Sequence, residues 1–401
     1  MPVLIIFIGT TIRIILLPLA AHGDTWSALR GEYYWINFGI FRLNQFPEVL
    51  QAVYLRLIDA PILQSALPSL FDTFFPIQGL GGDVQTKLVA NPMAMRVLFF
   101  YKLPYLLFDM GCVFVLFKIF TQKRNRIIAA LLWALNPLVL HSVYMWGRYE
   151  IFSILFVLVA FYYAKENKAF WSVLLFGLAV AFRMPFILVL PLLIIYFSDN
   201  WKDGLKYTVL GLLPLFMVNQ LMSFLGPDTS VYYKSVGFFN FFASTGLVGD
   251  FAPVGINYLV YPVIICLFLN EKRKGIGFVK LVYFAFTIFL TTFSFSYFHP
   301  QYAAWLTPFL LIAVTLNRKL IIPSIISLIL LYLLINYGLG ETTGLGLFLP
   351  SSAIISHLPK FEVLPFDNQM NTTVVYNLFI IVNMYLIVMM YKDKDRKNSE
   401  V

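Results

Sequence analysis

Asp24 follows a long apolar run almost at once, in the triplet His22-Gly23-Asp24, with Arg30 and Glu32 close behind. A carboxylate held where a chain leaves a membrane could take the proton of a hydroxyl as a general base. The same residue could instead cap a helix starting near Thr25. Arg183, in Ala181-Phe182-Arg183-Met184-Pro185, stands between two short apolar stretches. A planar, always-charged group at a broken helix suits a phosphate. Lys102 could contact a phosphate at the mouth of a cavity or lay its stem along apolar surface with its head toward water. Trp146-Gly147-Arg148-Tyr149-Glu150 puts an aromatic, a glycine turn, a base and an acid at one chain reversal, and Ser296 to Trp305 places His299, Gln301 and Tyr302 at another. Histidine binds phosphate or shuttles a proton, although beside tyrosines it also belongs to an ordinary interfacial aromatic belt.

What must position these groups is set by composition. Of 401 residues 60% are hydrophobic and only 12% charged, half the usual charged share of about 25%, and mean hydropathy is +0.80. A soluble protein is excluded, and the expected fold is all-α, a polytopic transmembrane helical bundle forming a single integral membrane domain over 1–401. Apolar runs at 2–22, 97–120, 127–146, 151–164, 169–182, 184–197, 207–225, 254–270, 276–297, 302–316, 320–337 and 373–391 predict about twelve spans, two of them (169–182 and 184–197) short for a bilayer or halves of one broken helix. With the amino terminus inside, the clusters Lys123-Arg124-Arg126, Lys165 and Lys168, Lys202 and Lys206, Lys272-Arg273-Lys274, Arg318-Lys319 and the basic tail 392–401 all fall on the cytoplasmic side. Both termini are then cytoplasmic, and the candidate residues gather on the other face. Residues 23–96 form a large extracytoplasmic loop with stretches such as Val49 to Ile58 that read as interfacial helices. The net charge of +9 is thus a topology signal and not a nucleic-acid surface.

Charges inside spans cost about 2.5–3.5 kcal/mol each on insertion scales. Arg13 and Asp109 lie at similar depth, roughly 14 to 18 Å below the outer surface at 1.5 Å per residue, so they are expected to pair. Exchanging the two residues is expected to restore the expression that either single change loses. Cys112 and Cys266 sit in apolar runs, and no metal-ligand spacing, Walker A loop or dinucleotide fingerprint is present. These residues assign no cofactor, and a divalent cation stays open.

With these residues in order, the chain resembles the GT-C superfamily of polytopic glycosyltransferases, which use polyprenyl-phosphate-linked sugars and include mannosyltransferases of the GPI and dolichol pathways. Asp24 matches the family's acid just after the first span. Lys102-Leu103-Pro104 followed by Asp109 resembles the Lys-Leu-Pro-x-x-x-x-Asp run of bacterial and archaeal members. Asn136-Pro137 and Trp146-Gly147-Arg148-Tyr149-Glu150 resemble their Asn-Pro and Trp-Gly-Gln-x-Asp, with Arg for Gln and Glu for Asp. Arg183 is similar to their basic residue after the fifth span, and His299, Tyr302 and Trp305 to a late His-x-x-Tyr-x-x-Trp segment. The resemblance covers about residues 10–310 and implies an inverting sugar transfer, of mannose in its best-known branch, from a polyprenyl-phosphate donor to a glycan or glycolipid acceptor at the extracytoplasmic face. It implies Asp24 as base and Arg183, His299 and Lys102 on the phosphate. The rivals are a secondary transporter, against which the missing internal repeat speaks, and a flippase or polymerase of lipid-linked saccharides.

Overall fold

A computed structural model describes residues 2–41, 43, 45–58, 93–226, 256–296, 300–338, 345–348 and 368–393. Among them the chain is helical throughout, and each apolar run of the sequence carries helix. Helix α1 (Pro2–Leu19) turns through 69° into α2 (Gly23–Phe38), and α3 (Phe46–Ile58) packs beside α2. Then come α4 (Met93–Ile119), α5 (Lys123–Ala134), a π-helical stretch Leu140–Met145, α6 (Glu150–Lys165) and α7 (Ala169–Phe182). The second half holds α8 (Leu190–Phe197), α9 (Trp201–Leu225), α10 (Ile256–Arg273), α11 (Phe278–Phe295), α12 (Thr307–Leu316), α13 (Ile321–Gly338) and α14 (Asn368–Lys392).

Five helical stretches among the described residues are long and apolar enough to cross a membrane, or six if the bent α1–α2 pair is one span. This is fewer than the roughly twelve spans expected from the sequence, some of which fall on apolar helices of 10–17 residues. Ala169–Phe182, Met184–Phe197 and Gln301–Leu316 are apolar but short. One main core joins α4 to α8 with α11 and α12, and a second, smaller one joins α2, α3 and the start of α4. Large apolar side chains such as Phe7, Leu107, Phe114, Phe216 and Phe224 stand exposed on the outside of the helices, the arrangement that lipid requires.

Where two helices must touch closely, glycine makes it possible. Gly177 of α7 faces Gly211 of α9 so closely that a Cβ on Gly177 would collide with the Gly211 carbonyl. Backbone gives way poorly, and small residues at such crossings supply much of the packing energy between helices in a bilayer. Gly177→Ala is therefore expected to destabilise the fold by about 1–3 kcal/mol, seen as a lower unfolding temperature in detergent. An unchanged temperature would show that the α7–α9 contact is slack.

Candidate functional site

Three interruptions in the helices meet at one end of the bundle, and each has a local cause. Asn136 caps a new turn by accepting from the amides of Leu138 and Val139 at 2.9 and 3.2 Å, and the chain then widens into the π-helical stretch, a feature frequent at functional sites. The reversal after it rests on Gly147, with φ +85° and no space for a Cβ between Thr25 Oγ1 and the Lys102 stem. At Arg183 the backbone is extended, and Pro185 opens the 3₁₀ turn Met184–Leu188 that cannot continue α7. The third is the 3₁₀ segment Pro300–Leu306 before α12.

The first of these turns also holds Asp24. The Trp146 carbonyl accepts from the His22 amide at 3.1 Å and from Thr25 Oγ1 at 2.6 Å, pinning the α1–α2 bend to it. The His22 ring stacks on Trp146 with centroids 3.9 Å apart, and its Nδ1 accepts the Asp24 amide at 3.1 Å. It is therefore His22 that caps α2, and Asp24 lies in the first turn with its carboxylate 3.5 Å from His22 Nδ1 and 44% exposed. The helix dipole favours an anion there, and Asp24 is near enough to Arg148 for the two charges to act on each other.

Behind Asp24 lies a buried cluster. Arg183 donates through one nitrogen to Glu150 Oε1 and through another to Gln45 Oε1, while Trp305 Nε1 donates to Glu150 Oε2 at 2.6 Å. Arg148 donates to the Tyr149 hydroxyl at 3.0 Å, which donates in turn to Glu48 at 2.7 Å. Both guanidinium carbons lie 4.6 Å from the Tyr149 ring centroid, a cation–π distance. Tyr302 stacks on Trp305 at 4.3 Å, and Gln301 is buried with its Oε1 unpartnered. Arg148, Glu150, Arg183, Gln301 and Tyr302 thus sit on converging elements, whereas His299 lies outside the described residues. Among the described residues no group of three or more His, Cys, Asp or Glu is placed to hold a metal ion.

Sequence reasoning missed Gln45, just before α3, and Glu48 in its first turn. An acid just after Pro47 reads as an ordinary first-turn helix residue, so only the docking of α3 reveals it. That docking uses Pro104 of α4. Proline has no N–H for the Phe100 carbonyl, which instead accepts from the Tyr54 hydroxyl at 3.0 Å, and the next carbonyl, of Tyr101, accepts from Gln51 Nε2.

Lys102 requires a correction. Its ammonium is fully buried and donates to the carbonyls of Ala20 at 2.6 Å, Tyr144 at 2.9 Å and Leu16 at 3.4 Å. A lysine has three donors. All are taken by the carbonyls at the ends of α1 and the π-helical stretch, so Lys102 ties these ends together and neither snorkels nor faces a phosphate. Arg13 and Asp109 do meet: Arg13 Nε donates to Asp109 Oδ2.

Glu32 is wholly buried, with one oxygen accepting from Tyr101 OH at 3.2 Å and the other unpartnered. Burial first, and nearby Glu48 second, push its carboxyl well above the ordinary carboxylate range. A group that binds its proton more tightly folded than unfolded loses stability as pH rises from its ordinary pKa toward the raised one. Glu32→Gln removes that loss. Its unfolding temperature relative to wild type is expected to climb between pH 4 and 8, and a pH-independent difference would contradict this.

No protein-family model, curated protein or solved structure matches this chain. Its activity must be read from the site.

Proposed function

We propose that the chain is an integral, multi-pass membrane glycosyltransferase of GT-C type that crosses the bilayer about twelve times. It moves a sugar, with inversion, from a polyprenyl-phosphate donor to a glycan or glycolipid acceptor at the extracytoplasmic face. One observation carries this reading: a half-exposed carboxylate, Asp24, lies within electrostatic reach of buried Arg148, whose guanidinium shares the Tyr149 ring with Arg183 at a helix break. A base at the rim and cations behind it are what attack by a hydroxyl and departure of a phosphate need.

The acceptor oxygen attacks the anomeric carbon from the face opposite the phosphate. Its proton passes to the Asp24 carboxylate as the bond between carbon and phosphate oxygen breaks, and the electron pair leaves on the phosphate. Arg183 stabilises that growing charge, with His299 assigned to the same phosphate from the sequence pattern. Glu150 holds Arg183 in place from one side and Trp305 holds Glu150 from the other. Because the leaving phosphate stays on a lipid, the groups sit at helix ends, where a site can open sideways to the bilayer.

The test is to incubate membranes carrying the protein with polyprenyl-phosphate sugars, mannose first, and lipid or glycan acceptors. A glycosylated product absent from control membranes is expected. No product from any donor would contradict the assignment.

A further inference from the structure

The two arginines of the site are covered by one element. Gln45 just precedes α3 and Glu48 lies in its first turn; Gln45 Oε1 accepts from Arg183, and Glu48 accepts from the Tyr149 hydroxyl that Arg148 holds. Arg148 stands where the resemblance has glutamine, and its guanidinium shares the Tyr149 ring with Arg183. Two like charges gathered in a buried place repel each other unless anions answer them. Here Glu150 and Glu48 answer them and leave the set of four neutral. Even so, Nε of Arg148 and Nε of Arg183 are buried without a hydrogen-bond partner, an unsatisfied arrangement that costs free energy.

Helix α3 has two faces. Glu48, Gln51, Ala52 and Leu55 point inward and are buried, while Leu50, Val53 and Leu57 are exposed by 40, 49 and 72%. An exposed apolar stripe on a helix beside the membrane lies against lipid. The hydrogen bonds from Gln51 and Tyr54 to α4 lie one to two turns beyond Glu48, whereas the first turn of α3 is held by Phe46 against Phe182 at 5.3 Å and by Val49 in an apolar cluster with Ala181 and Val218, so lifting that turn must break apolar contacts but none of the bonds to α4.

Resting on the reading of the site as a lipid-phosphate glycosyltransferase, we infer that α3 is a displaceable cover and that Arg148 is a second phosphate ligand. In the closed state Gln45 and Glu48 hold the donors of Arg183 and of the Arg148–Tyr149 pair. A phosphodiester arriving from the bilayer replaces them. Withdrawal of Glu48 takes one negative charge away from the two guanidinium groups, and the anion of a lipid phosphate takes its place. The cover therefore opens for a ligand that brings an anion and stays shut for a neutral lipid.

The experiment measures binding of farnesyl phosphate, with farnesol as uncharged control, to the purified full-length protein in detergent, together with amide hydrogen exchange in α3. Glu48→Gln, which weakens the closed state, is expected to bind farnesyl phosphate about tenfold tighter than wild type, since the charge-assisted hydrogen bond that holds the cover shut is lost. Arg148→Gln should bind at least tenfold more weakly, and exchange over residues 45–50 of wild type should quicken with farnesyl phosphate but not with farnesol. Normal wild-type binding with Glu48→Gln unchanged or weaker, or with α3 protected by the ligand, overturns the cover alone. Wild type that binds no better than Arg183→Gln removes the phosphate site, and with it both the cover and the reading beneath it.

Discussion

Asp109→Ala is expected to cost the fold about 3–5 kcal/mol, the loss typical of a buried ion pair broken on one side. Asp109 and Arg13 are 3–4% exposed. Asp109 accepts from Arg13 Nε, from Trp133 Nε1 and from Tyr144 OH at 2.7 Å, while Arg13 also donates to the carbonyls of Gly9, Ala134 and Trp133 at 3.0, 2.5 and 3.0 Å. Alanine leaves a guanidinium charge and two neutral donors unanswered where α1, α4 and α5 cross. A cavity of about 120 Å³ beside the pair is large enough for water, which places the loss toward the lower end of that range. The check is unfolding temperature and the yield of monodisperse protein in detergent; an Asp109→Ala protein as stable as wild type would show that the network does not hold these helices. The exchange of the two residues, expected from the sequence to rescue the single changes, should instead fail because of these surrounding bonds. A carboxylate at position 13 would face three carbonyl oxygens, and a guanidinium at 109 would face two donors. Rescue by the exchange would mean that the surrounding bonds contribute little.

Asp24→Asn is expected to lower sugar transfer by about 10²–10⁴-fold, the usual contribution of a positioned general base. The substitution keeps shape and leaves His22, which caps α2 through the Asp24 amide, untouched. Stability and farnesyl phosphate binding should therefore stay near wild type while turnover falls. A variant that loses binding and turnover together would move Asp24 from proton transfer to ligand binding.

These consequences were unevenly legible in the sequence. The limits of α7 and the break at Arg183 follow from an apolar run ended by a charge and a proline, and the structure puts α7 at Ala169–Phe182. The depth of Arg13 and Asp109 gave reason to expect a pair, because depth is a one-dimensional quantity that a helical rise converts directly. The destination of Lys102 was hidden, since the carbonyls of Ala20 and Tyr144 have no side-chain signature. Gln45 and Glu48 were hidden for a related reason: they reach Arg183 and Tyr149 across more than a hundred residues of chain, and no local period encodes that docking. Of the roughly twelve spans expected, the described residues carry five or six by length and composition, because hydropathy locates apolar runs but not the bends and 3₁₀ turns that divide some of them.

The central claim is that Asp24 takes the proton of an acceptor hydroxyl as a sugar leaves a lipid phosphate. The most direct measurement follows transfer from a polyprenyl-phosphate sugar by wild type and Asp24→Asn at matched amounts of folded protein, and determines the anomeric configuration of the product. The account predicts an inverted anomer from wild type and at least a hundredfold less product from the variant. Equal rates from the two proteins, or a product of retained configuration, would contradict it.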